Sequence, residues 1–164
     1  MYEDQQEIAF AGMKVDSGDD RVESFPCASA VPFGRVVATN PATAQTSAVD
    51  NSPIGLPAGG FTRTRGVSLQ SHTASYAGTA PAVGYAQYDC ASVMTRGLAW
   101  VEAAAATAIT LNSQLMYNAS GQAVAAAGTL MEGAIVRGPV QTLANGQFVV
   151  PVELHSPMDA DAVV

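Results

Sequence analysis

At 164 residues and 16.8 kDa the chain is long enough for one domain with a modest core and too short for two ordinary ones. A hydrophobic share of 48% against 13% charged residues argues against an intrinsically disordered chain, and fourteen acids against seven bases leave no positive field to hold nucleic acid. The opening MYEDQQEIAF is acidic where the n-region of a signal peptide is basic, and the longest uncharged stretch, between Glu102 and Glu132, is interrupted from Thr107 to Gln122 by polar residues, so neither a secretory leader nor a membrane partner is expected.

Residues 1–24 read as an extended N-terminal arm. Its first 23 residues hold seven acids against Lys14 and Arg21, and Asp159 and Asp161 make the 159–164 tail acidic as well. The arm has two readings: a frayed, solvated end, or a segment that orders on a partner through the apolar anchors Ile8, Phe10, Met13 and Val15. Asp16 to Asp20 lacks the ligand pattern of a calcium loop and is taken as a polar turn. The following body, residues 25–158, forms a single β domain. Its cations are all arginines (Arg35, Arg63, Arg65, Arg96 and Arg137), a usage that suits partly desolvated contacts as well as compositional drift.

Within the body, residues 39–64 are rich in Ala, Thr, Ser, Pro and Gly and read as a long surface loop, a second candidate contact element. Val67 and Leu69 alternate with polar neighbours as a strand should. Gly97 to Glu102 is apolar on both faces, which predicts a strand covered on both sides, and Trp100 within it is either core or an interface anchor. The alanine run 103–106 predicts a turn or two of helix. Gln114 to Tyr117 and Gln122 to Val124 flank Asn118-Ala119-Ser120-Gly121, a hairpin with glycine in a left-handed position. Gly133 predicts a bulge within the strand Thr129 to Val136. In Gln147 to Leu154, Phe148, Val150, Val152 and Leu154 share a face, and Pro151, which has no N–H to give, predicts an edge or a neighbouring bulge. Strands this short and this frequent point to an all-β fold, a small antiparallel β-barrel or a jelly-roll-like sandwich.

Chemistry is hard to place on this chain. His72, the nearby serines and Asp89 are the ingredients of a hydrolytic triad, but no nucleophile-elbow motif accompanies them. His155 has no His-x-x-His or Cys-x-x-Cys partner spacing, and Gly59-Gly60 is not set in a phosphate-binding motif. Cys27 and Cys90 are too few and too distant for a disulfide scaffold and are expected as reduced, buried thiols. Tyr76, Tyr85 and Tyr88 offer rings for stacking or for an interface. The chain therefore reads as a protein without enzymatic activity, metal or cofactor.

Several short segments, in order, resemble the structural cement or head decoration proteins of tailed phages. They are Phe10 to Gly18, Phe25-Pro26 through Val37, Arg65 to Thr73, Tyr85 to Asp89, and Val93 to Glu102. The resemblance implies a protein of the virion, on the capsid exterior and made in the bacterial host cytoplasm. It would bind the major capsid protein, bridge neighbouring subunits and stabilise the shell. It also implies self-association as a homodimer or homotrimer, which would match a symmetry axis of the shell. Candidate capsid or subunit contacts are Ile8, Phe10, Met13, Val15, Arg63, Arg65, Trp100 and Pro151. The alternative is another phage structural accessory module, such as a tail or fibre domain or a glycan-binding β domain.

Overall fold

A computed structural model describes residues 9–16, 18–41, 52–71 and 83–155. Its strands are β1 (Arg21–Pro26), β2 (Val31–Pro32), β3 (Val36–Thr39), β4 (Ile54–Gly55), β5 (Arg63–Ser68), β6 (Gly84–Tyr85), β7 (Cys90–Ala103), β8 (Gln114–Tyr117), β9 (Ala123–Val124), β10 (Thr129–Val136), β11 (Gln141–Thr142) and β12 (Phe148–His155). The fold is all-β, as its short alternating segments predict. Five strands close a small barrel in the order β7, β12, β10, β8, β9 and back to β7, with every contact antiparallel except the single parallel bridge Ala103 to Ala123. Further strands extend from β7: β5, β3 and β4 in succession on one edge, and β1 on the other.

The fourteen-residue β7 organises the whole. Met94 pairs with Val22 of β1 and with Val67 of β5, while residues 96–103 pair with β12. Met94 and Ala99 face the same barrel core although they are an odd five positions apart, so the two-residue period must break once between them. Gly97, at φ +122°, supplies the break, and the pairing with β1 shifts register at Arg21 and Val22. Beyond it, Ala99, Val101 and Ala103 fill the barrel with Leu115, Met131, Val136, Val150, Val152 and Leu154. Before it, Ala91 and Val93 serve a second core with Phe25, Cys27, Val31, Phe33, Val37, Ile54 and Tyr85.

The predicted hairpin is present between β8 and β9. Asn118 Oδ1 accepts from the backbone N–H groups of Ser120 and Gln122 at 3.0 Å each, and Gly121 sits at φ +72°. The bulge in β10 is present as well, where pairing with β8 shifts between Leu130 and Ile135.

Four expectations are corrected. The alanine run is not helical: β7 continues through Ala103 and the chain then bends, because burial of Ala99, Val101 and Ala103 and a full ladder with β12 outweigh alanine's helix preference of a few tenths of a kcal/mol per residue. The segment 39–64 is not all surface loop. Thr39 ends β3, Ile54 is fully buried in β4 and pairs with Thr39, and Arg63 opens β5; residues 42–51 lie outside the described residues. The arm is no free extension over its described residues, 9–16 and 18–24. Gly12 N–H donates to Trp100 O at 2.7 Å, Trp100 N–H to Met13 O at 2.9 Å and Val15 N–H to Leu98 O at 2.9 Å, after which β1 continues along β7. Finally, β12 is no edge strand, since β7 flanks it on one side and β10 and β11 on the other. Pro151 is tolerated because the β10 ladder ends at Val152 and the β11 ladder begins only at Val149, so its donorless nitrogen meets no acceptor that a ladder would offer; its carbonyl accepts from Arg137 N–H at 2.9 Å. The 159–164 tail lies outside the described residues.

One polar knot crosses these elements. Arg35 donates from Nε and Nη2 to the two carboxylate oxygens of Glu102, each at 2.9 Å, and from Nη1 to Ser120 O at 2.9 Å, while Gln122 Nε2 donates to Glu102 Oε1 at 2.9 Å. Both charged side chains are only about a tenth exposed, at 12% and 11%. Removing one partner strands a largely buried charge, so Arg35→Ala is expected to cost about 3 kcal/mol in urea unfolding, whereas the paired change Arg35→Met with Glu102→Leu recovers most of that loss. A cost below about 1 kcal/mol for Arg35→Ala would show the knot to be slack.

Candidate functional site

The candidate contacts separate by burial. Ile8 lies outside the described residues. Phe10 and Val15 are exposed at 40% and 37%, and Val22 of β1, at 39%, joins them along the same edge of β7. Their segment is held by backbone hydrogen bonds to residues 98–100 and by the pairing of β1 with β7, so these apolar groups are carried on fixed backbone. The same segment keeps its charges occupied, since Lys14 pairs with Asp20, Arg96 with Asp19 and Arg21 with Glu23.

Met13 and Trp100 are half-buried. Trp100 packs with Ala11 against a small outer cluster of Ala9, Leu143 and Val149, which explains why Gly97 to Glu102 is apolar on both faces: the barrel covers one side and the N-terminal segment the other. Pro151 is buried in β12 and offers no side chain to a partner. Arg65 is 0% exposed; its Nε donates to Thr39 Oγ1 at 3.2 Å and its guanidinium carbon lies 5.4 Å from the centre of the Phe25 ring. It holds β5 to β3 and the second core and presents no surface. Arg63 is partly buried, and its Nε has no hydrogen-bond partner.

Among the described residues, those with possible chemistry are occupied by structural contacts. His72 and Tyr76 lie outside the described residues. Asp89 Oδ2 accepts from Ala86 N–H at 2.8 Å and closes a turn. His155 lies beside Glu153, 3.1 Å from Nε2 to Oε1, and Glu153 also pairs with Arg137. These groups line a groove of about 500 Å³ with Asp16, Asp19 and Arg96, in which acids and bases neutralise one another. Among the described residues, no three His, Cys, Asp or Glu side chains gather to hold a metal ion.

Of Tyr76, Tyr85 and Tyr88, the two described ones differ in placement. Tyr85 is buried, its hydroxyl donating to Leu69 O at 2.8 Å and its ring meeting Phe33 edge-on at 5.1 Å. Tyr88, three residues on, is 83% exposed and holds a left-handed backbone at φ +71°. Periodicity had no means of marking it, because neither exposure at a turn tip nor a strained φ leaves a pattern in sequence. The cysteines also divide: Cys27 is buried, whereas Cys90 is exposed, contrary to the expectation of two buried thiols, because Cys90 opens β7 at its rim.

Comparison with known proteins bears on this arrangement. A family model described as structural cement protein (E217 gp24/Pam3 gp6) matches residues 1–155. No curated protein matches the chain. Among solved structures, a chain of "The capsid of Myoviridae Phage XM1" is similar at 18% identity with a TM-score of 0.59, over 90% of this chain and 92% of that one, a likeness of fold.

Burial first, and then the negative charge of Asp89, push the Cys27 thiol up to about 11. The folded state thus holds this proton more tightly than the unfolded chain, where a thiol titrates near 8.5. The associated stability is intact below about pH 8.5 and is lost as pH rises toward 11. Urea midpoints from pH 8 to 11 are expected to fall less steeply for Cys27→Ala than for the wild type; parallel profiles would refute the assignment.

Proposed function

The chain belongs to the phage structural cement protein family, and on that premise we propose that it attaches to the outside of the assembled capsid and ties neighbouring copies of the major capsid protein together. A structural, capsid-stabilising role in the virion goes with the family, which is non-enzymatic in general. The observation that best supports external bridging is the line of exposed Phe10, Val15 and Val22 on backbone fixed to β7. Apolar groups already ordered in the free protein cost little further entropy when a partner covers them.

A small domain touching one subunit gains limited affinity. When the same body touches two or more subunits of a lattice, each later contact forms at high effective concentration, and modest patches suffice. Self-association as a homodimer or homotrimer multiplies the contacts again and matches the two-fold and three-fold positions of a shell. β1 adds a second mode: among the described residues it pairs with β7 alone, so its outer edge is available to an extended segment of a neighbour. Neither nucleic acid nor a membrane is a partner in this reading, and free thiols at Cys27 and Cys90 suit synthesis in a reducing bacterial cytoplasm.

Two measurements test it. Capsids stripped of this protein and then reconstituted with it are expected to melt at higher temperature than bare capsids; equal melting would remove the stabilising role. The triple variant Phe10→Ser, Val15→Ser, Val22→Ser, altered only at exposed positions, should stay folded by circular dichroism and bind capsids at least tenfold more weakly in co-sedimentation, about 1.4 kcal/mol or more. Undiminished binding would take this edge out of the interface.

A further inference from the structure

We propose that the turn Ala86–Asp89 is a preformed anchor that seats the Tyr88 ring in an apolar socket of a capsid lattice subunit, a refinement that rests on the capsid-binding reading above. Tyr88 is the most exposed large hydrophobic side chain among the described residues, at 83%. A flexible loop would let such a ring fold back onto the surface. Here the turn is fastened on every side: Ala86 N–H donates to Asp89 Oδ2 at 2.8 Å, Asp89 N–H to Ala86 O at 3.2 Å, Tyr88 N–H to Cys27 O at 2.8 Å, and Gln87 Nε2 to Ala28 O at 2.9 Å.

The backbone reinforces this. Tyr88 takes the third position of the turn with φ +71°, where glycine or asparagine is the ordinary occupant and a bulky side chain is strained. Such strain persists where surrounding bonds over-determine it, and it concentrates at binding sites. What it achieves here is direction, since the turn holds the ring away from the second core that takes the neighbouring Tyr85.

The surroundings suit the centre of a contact. The residues tied to the turn or next to it, Ala28, Ser29, Ala30, Ala86 and Gln87, are small or uncharged, and the one acid, Asp89, is part-buried with its carboxylate bonded within the turn. A partner can therefore close on the ring without stripping water from a free charge, the pattern of an aromatic anchor inside an interface. The tyrosine hydroxyl further favours a socket with one polar group at its floor.

The lattice is a better occupant than a second copy of this chain. The groove lined by Asp16, Asp19, Arg96, Arg137, Glu153 and His155 is too charged to be a good socket for a ring. A knob of one copy entering a different surface of the next would also propagate into rings or open chains, whereas on a capsid the same contact simply repeats at each equivalent site.

Tyr88→Ala, Tyr88→Phe and Tyr88→Gly, made in the full chain, separate the possibilities by three readouts: thermal melting, sedimentation velocity of the free protein, and co-sedimentation with stripped capsids. Tyr88→Ala and Tyr88→Gly are expected to melt within about 2 °C of the wild type or above it, because no packing is lost and, for glycine, strain is relieved. Both should bind capsids at least tenfold more weakly, with Tyr88→Phe losing less than fivefold. Wild-type binding by Tyr88→Ala, with the wild-type chain itself binding, would overturn the anchor and leave capsid attachment standing. A drop in oligomeric state for Tyr88→Ala would place the ring between copies and overturn the lattice assignment. A wild-type chain that fails to sediment with capsids would overturn both.

Discussion

Each backbone donor and acceptor of β7 that is removed from water must find a partner, and this requirement organises the molecule more than any side-chain contact does. A strand of fourteen residues presents two long edges. One carries residues 12–15 and then β1; the other carries β12 and then β5. Segments distant in sequence are thereby brought to one line. The break at Gly97 lets the single strand serve two cores, barrel on one side of it and the Phe25, Val37, Ile54 and Tyr85 cluster on the other. The exposed apolar edge at Phe10, Val15 and Val22 and the Tyr88 turn, which hydrogen-bonds to Cys27 just beyond β1, both take their positions from it.

The knot of Arg35, Glu102, Ser120 and Gln122 acts at a different level. A buried ion pair rarely adds much net stability over an apolar replacement, yet every polar atom it contains has a geometric demand. Here those demands join the start of β3, the end of β7 and the β8–β9 hairpin, three places that apolar packing alone would let slide. Close by, Val36 N–H donates to Gly121 O and Glu102 N–H to Gly34 O, both at 2.8 Å, so backbone and side chains specify the same junction.

The class of fold was legible in the sequence because its signals are local. Two-residue alternation from Phe148 to Leu154, the Asn118 to Gly121 turn and the Gly133 bulge each depend on neighbours a few positions away. What was not legible depends on distant partners. The alanine run escaped helix because Ala103 closes β7 against β12 and the chain then bends, and Pro151 escaped the edge because two ladders on the far side of β12 leave a gap opposite it. Among the candidate contacts, arginine content alone did not separate Arg65, sealed over Phe25, from a surface cation, and a lone tryptophan did not reveal that the N-terminal segment half-covers it. Tyr88 was legible as one ring among the other tyrosines, but nothing local in the sequence set it apart from the buried Tyr85, because its exposure and its left-handed backbone angle leave no periodic mark.

The closure of the barrel by β12 has a consequence for biosynthesis. Until residues 148–155 clear the ribosome, the nascent chain has β7 and β10 but nothing to insert between them, so the ring of strands stays open and its apolar lining stays wet. Closure of the barrel is thus postponed until β12 has emerged, and products terminated before it would lack the finished body and become substrates for proteolysis.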